Sequence, residues 1–136
     1  MKIVRSFRRL HERTDLGSTP IIHDRQIARH GGASGLRDDG LLQNALQRPV
    51  HKGQYESANT FECAAACAFD IAKAHAFVDG NKRTAFVTSI TFLHLNEWHF
   101  VTEPAEGVGY MKGLASGEVS EEEFTIWLER SSTEIK

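Results

Sequence analysis

Residues Thr60 to Ala76, TFECAAACAFDIAKAHA, constrain the fold more than any other stretch of the chain. Good helix formers fill it, and Asn59 with Glu62 three residues later has the residue types of a capping pair. At about 100° per residue, Phe61, Ala65, Ala68 and Ala72 share one stripe, and His75 lies about 40° from Phe61 on the same side. Glu62, Asp70 and Lys73 fall opposite. Small alanines on the buried stripe let another helix approach closely, so the spacing predicts a central helix enclosed by others.

The rest of the chain supplies the enclosure. Ile21 to His30 reads as a helix stopped by Gly31 and Gly32, and Asp39 to Gln47 as a short helix capped by Asp38 or Asp39 and ended by Pro49. After a break at Val78, Asp79 and Gly80, Asn81 to Leu95 forms another helix. A glycine-interrupted segment from Pro104 to Ser116 is weaker, and Ser120 to Glu123 is a capping box opening a helix with Phe124, Ile126, Trp127 and Leu128. Alternation of β-branched residues is nearly absent, with His99 to Thr102 as the one short strand candidate. The expected fold class is all-α: a compact single-domain bundle of about six helices over residues 1–136.

Composition narrows the function without choosing it. With 136 residues, 40% of them hydrophobic, one core forms without a metal or disulfide staple. No run approaches ~20 apolar residues, so no membrane partner is expected. A net charge of −2, from 16 basic and 18 acidic residues, argues against a nucleic-acid partner held by phosphate neutralisation. Met1 to Arg9 carries charge but no apolar core, so no secretory leader is expected. Cys63 and Cys67, four apart on a helix, read as reduced packing residues. His23 and His30 are seven apart on one helical face, but no third ligand accompanies them as a metal site would need.

The chemistry concentrates in His75-Ala-Phe-Val-Asp-Gly-Asn-Lys-Arg-Thr-Ala85. A helix start offers free N–H groups and partial positive charge to a phosphate. Gly80 permits close backbone approach, and Lys82 and Arg83 add a point charge and a planar fork. Asp79 is a hard oxygen ligand suited to Mg²⁺ shared with substrate phosphates, and His75 can take a proton near neutral pH. Each part has a plainer reading: a core histidine, a turn, a solvated helical turn. Together they describe a phosphoryl or nucleotidyl transfer site resting on positioning and charge neutralisation.

This block resembles the signature loop of the Fic superfamily, and more closely its death-on-curing (Doc) branch. Ile22 to Gln26, Gly35 to Leu42 with Arg48-Pro49, and Leu114 to Glu118 are similar to that branch too, so the likeness spans about residues 21–130 and leaves 1–20 divergent. The resemblance implies His75 as general base, Asp79 as Mg²⁺ ligand, and Gly80, Asn81, Lys82 and Arg83 at the phosphates. It implies Phe77 as loop anchor and Lys73 as a possible accessory group. It further implies ATP and Mg²⁺, a cytoplasmic bacterial setting, and a toxin of a type II toxin–antitoxin system. The partner would be an antitoxin with a helical segment docking in a groove.

Two departures from the general Fic pattern bear on the reaction. Adenylyl-transferring Fic proteins usually have glycine after the asparagine and a second arginine three positions past the first. Here those positions are Lys82 and Phe86. The Doc arrangement implies a protein kinase that passes the γ-phosphate to a threonine of elongation factor Tu and blocks translation. Adenylyl transfer and a catalytically silent binding module are the rival readings. Thr102 to Gly107 fits the form of the Fic self-inhibitory helix, but its glutamate would pair with the missing second arginine, so we read the match as accidental.

Overall fold

Six helices and one two-stranded ribbon make up the residues that the computed structural model describes, 15–55 and 59–135. In chain order they are α1 (Asp15–His30), α2 (Asp39–Tyr55), α3 (Thr60–Ala74), α4 (Asn81–Leu95), β1 (Trp98–Phe100), α5 (Pro104–Ser116), α6 (Glu121–Arg130) and β2 (Ser132–Glu134). The fold class is all-α. The expectation about Met1 to Arg9 falls on residues 1–14 and lies outside the described residues.

Helix α3 is the central element. Its buried positions run nearly all the way round: Phe61, Cys63, Ala64, Ala65, Ala66, Cys67, Ala68, Ile71 and Ala72. Methyl-sized side chains let α2, α4 and α6 pack against it together. Phe92 and Leu93 of α4, Leu114 of α5, and Phe124, Trp127 and Leu128 of α6 complete the core. Its start is fixed locally: Asn59 Oδ1 accepts the Glu62 N–H at 2.8 Å, and Glu62 Oε1 accepts the Asn59 N–H at 3.0 Å. Ser120 and Glu123 do the same for α6, at 3.0 and 2.9 Å.

Four expectations shift. Helix α1 starts at Asp15 rather than Ile21 and carries Pro20 inside it. Thr19 and His23, one turn apart, are buried, and α1 packs on α4, so tertiary burial extends the helix past a local breaker. Helix α2 is capped by Asp38, whose Oδ1 accepts the Leu41 N–H, but it runs through Pro49 to Tyr55. An interior proline costs ~3 kcal/mol. The Arg48 guanidinium offsets that cost by bonding Asp70 on α3 and Glu121 on α6, with Pro49 buried beside it. Helix α3 ends at Ala74, not Ala76. The strand is Trp98–Phe100, and it pairs antiparallel with Ser132–Glu134, a partner without a sequence signal.

Among the described residues, no helix is long and apolar enough to cross a membrane.

Candidate active site

The loop between α3 and α4 leaves the first helix by a left-handed residue and enters the second by another. His75 has φ 51 and ψ 40, and Gly80, the residue before α4, has φ 73 and ψ 21. Glycine takes that conformation freely, whereas histidine there costs roughly 1–2 kcal/mol and must be held. The hold is Arg37, whose Nε and Nη2 donate to the His75 carbonyl at 2.9 and 2.6 Å. The reversal also corrects the helical-wheel placement of His75. It does not continue the buried stripe but is exposed, while Ala76 and Phe77 turn inward and are buried.

Residues 35–38 run antiparallel beside the loop. The Val78 N–H donates to the Gly35 carbonyl at 3.1 Å, and the Arg37 and Asp38 N–H groups donate to the Ala76 carbonyl at 2.6 and 3.0 Å. Phe77 is 2% exposed and stacks on the His23 ring, centroids 4.0 Å apart at 11°. His23, itself buried, donates from Nε2 to the Asp79 carbonyl at 2.5 Å. Asn81 closes the turn: its Oδ1 accepts the Phe77 N–H at 3.0 Å and its Nδ2 donates to the Phe77 carbonyl at 2.9 Å.

Asp79 is exposed, and its carboxylate is oriented by main-chain donors. Oδ1 accepts the Gly80 N–H at 2.7 Å and Oδ2 accepts the Ala33 N–H at 3.3 Å. These two bonds, then the nearby Arg83 and His23, hold the carboxyl below the usual aspartate value. A Cβ at Gly32, where φ is 117, would stand 2.7 Å from Asp79 Oδ2, so a side chain there would displace the carboxylate. Each Asp79 oxygen keeps a lone pair, which fits a Mg²⁺ held by one carboxylate and substrate phosphates rather than a closed protein cage. Among the described residues no three His, Cys, Asp or Glu side chains gather as such a cage.

Lys82 and Arg83 are exposed in the first turn of α4, which has no side-chain cap, so helix dipole and side-chain charges coincide there. Arg83 Nη1 reaches the Gln26 carbonyl at 3.5 Å. The Asn81 amide, expected at the phosphates, is instead occupied at both ends by Phe77, leaving its main-chain N–H for an anion. Lys73 donates to the Ala115 carbonyl at 2.6 Å and lies over the Phe69 ring, which ties α3 to α5.

Phe86 packs among Phe100, Trp127 and Gly107. Glu106, the glutamate of the apparent inhibitory pattern, accepts the Trp127 Nε1–H at 2.7 Å and lies 3.7 Å from Arg130. Cys63 and Cys67 are free and buried, and burial pushes the Cys67 thiol up to about 12. His30 is exposed while His23 is buried, so the two do not form a metal pair.

Ala33 and Arg37 had no role assigned from the sequence, Gly32 was read only as a helix stop, and His23 was weighed only as a metal ligand and set aside. His23 and Arg37 stood inside stretches quoted for likeness, yet their partners lie 56 and 38 residues away, a separation no local pattern encodes.

Fold and loop define a class: helical proteins that present a histidine and an aspartate on a braced turn at the start of a basic helix. A profile of the Fic/DOC family matches residues 20–93. The chain is 34% identical over 100 residues to a protein named Protein kinase doc from Escherichia phage P1, covering 73% of this chain and 79% of that one. It is 44% identical over 68 residues to Toxin Doc of Mycolicibacterium smegmatis, covering 48% of this chain and 52% of that one. The chain belongs to the Fic/Doc family, in its Doc branch.

Proposed function

We propose that this chain is a Doc-type toxin and a Mg²⁺–ATP-dependent protein kinase. It transfers the γ-phosphate to a hydroxyl of another protein, a threonine of elongation factor Tu in the family's pattern. The names of the phage and mycobacterial relatives support the class. The observation that carries phosphoryl over adenylyl transfer is Phe86, seated among Phe100, Trp127 and Gly107. The position that gives adenylyl-transferring relatives their second phosphate clamp here belongs to the aromatic core.

His75 takes the proton of the attacking hydroxyl at a ring nitrogen and so makes the oxygen nucleophilic. The α4 main-chain N–H groups, Lys82 and Arg83 grip the triphosphate, and Gly80 lets the backbone come close. Asp79, ionised at neutral pH, would hold Mg²⁺, which supplies neutralising charge to the phosphates when bound. The same reading gives a bacterial cytoplasmic setting and an antitoxin whose helical segment docks in a groove on this domain.

Incubation with Mg²⁺, ATP and elongation factor Tu, followed by intact-mass measurement of the target, tests the reading. A gain of one phosphate supports it, and a gain of AMP sinks it. His75→Ala should abolish toxicity on expression while the chain stays folded, whereas a silent binding module stays toxic. Lys82→Gly should weaken phosphate transfer.

A further inference from the structure

We infer that Arg37 and His23 are positioning residues that mount the loop at its two ends, Arg37 setting His75 and His23 setting Asp79. This rests on the phosphotransfer reading above. Both side chains act on main-chain carbonyls, and on the carbonyls of the two residues assigned the chemistry. Arg37 places two donors on the His75 carbonyl, which fixes direction as well as distance. That carbonyl belongs to the left-handed residue that ends α3, so the fork holds the main chain from which the imidazole projects.

His23 works at the other end. Its ring is 1% exposed, wedged flat on Phe77, and its Nε2–H meets the Asp79 carbonyl. Gly80 lies beside the same ring, where an added Cβ would come within 3.6 Å of it, so the ring and peptide 79–80 are neighbours. The Gly80 N–H of that peptide is also the donor to Asp79 Oδ1. Pinning the peptide therefore pins the carboxylate.

The two mounts have separable signatures. A displaced general base costs turnover, on the order of a hundredfold for about 1 Å. A displaced outer partner of a metal ligand costs metal affinity, about tenfold to a hundredfold. Arg37 is exposed, so direct contact with a phosphate is the competing role, and variants that keep charge or keep a donor tell the roles apart.

The experiment uses the full chain carrying Arg37→Ala, Arg37→Gln, Arg37→Lys, His23→Phe or His23→Gln. The rate is measured against ATP and against Mg²⁺. Separately, without ATP, ¹⁵N-resolved NMR of the amides from Phe77 to Asn81 is recorded during titration with Mn²⁺ as the probe. Arg37→Ala is expected to lower kcat about a hundredfold with KM for ATP unchanged, and Arg37→Gln to recover part of it. A raised KM for ATP that Lys restores and Gln does not would overturn the Arg37 assignment. His23→Phe is expected to raise about tenfold the Mg²⁺ needed for half-maximal rate and the Mn²⁺ needed to broaden the loop amides, with Gln restoring both. Equal loss in Gln and Phe would show that the imidazole itself does chemistry and overturn the positioning role. Loop amides that keep wild-type shifts in Arg37→Ala and His23→Phe would overturn the mount while leaving the phosphotransfer reading intact. Altered loop amides in a protein that phosphorylates nothing would sink that reading and keep the mount.

Discussion

Removing the Arg48 guanidinium should destabilise the fold by about 2–3 kcal/mol, because it leaves two carboxylates facing each other. Arg48 donates from Nε and Nη2 to Asp70 at 2.9 and 2.8 Å, and from Nη1 and Nη2 to Glu121 at 3.0 and 2.6 Å. An exposed pair is worth about 0–1 kcal/mol, whereas breaking a fully buried one costs about 3–5 kcal/mol. Side-chain exposures of 40% for Arg48, 16% for Asp70 and 27% for Glu121 place this network between those limits. For a domain of this size, Arg48→Ala then lowers Tm by roughly 10 °C. Urea and thermal unfolding followed by circular dichroism give both numbers, and adding Asp70→Asn should return about half of the loss by removing the orphaned charge. The sign of the pH dependence follows from Asp70, whose carboxyl lies above its ordinary 3.8 because burial outweighs the pull of Arg48. The folded state therefore holds the Asp70 proton more tightly than the unfolded chain does. Without Arg48 only the weaker pull of Lys52 opposes the upward push, so the cost of the substitution is greatest at neutral pH and shrinks as pH falls toward 3.8. A loss under about 0.5 kcal/mol, the range of an ordinary surface change, or no recovery on adding Asp70→Asn, would refute this reasoning.

Four further outcomes are expected. Gly113→Ala should destabilise by about 1–3 kcal/mol, since its Cβ would meet Val119 Cγ2 at 2.4 Å. Gly109→Ala meets no neighbour within 4 Å; it should stabilise by about 0.5–1 kcal/mol, and thermal midpoints order the pair. Glu106→Ala should not raise phosphate transfer but should cost about 1–2 kcal/mol, because the Trp127 indole N–H loses its acceptor; higher activity would mean the glutamate is inhibitory after all. Asp79→Asn should flatten urea midpoints plotted against pH in the range below 3.8, because the lowered Asp79 carboxyl contributes stability above that value and loses it as pH falls through its folded one.

What could be read in the sequence was whatever is written within a turn or two of chain. The capping boxes at Asn59 and Ser120 and the bounds of α4 depend on neighbours three or four residues apart, and they were legible. Pro49 misled because its rule is local while the Arg48 anchors lie 22 and 73 residues away. His75 misled because extending a helical period assumes that the helix continues, and the left-handed turn moved the side chain from a buried face to an exposed one. The site block itself was legible by residue type. Its framework was not, since His23, Ala33 and Arg37 act on it across the tertiary fold. Asn81 shows the limit within the block: type and position suggested a ligand for phosphate, but the amide completes the turn instead.

Residues 31–40 are exposed throughout, and from them come the bonds to Ala76, Val78 and Asp79. The helices beneath are sealed in the core, so the site and the bundle need not come apart together. Sub-global opening of this clasp exposes the Val78 amide to solvent exchange while amides of α3 exchange only when the whole domain unfolds. Warming should then silence the protein reversibly below its melting temperature, with the helical signal intact.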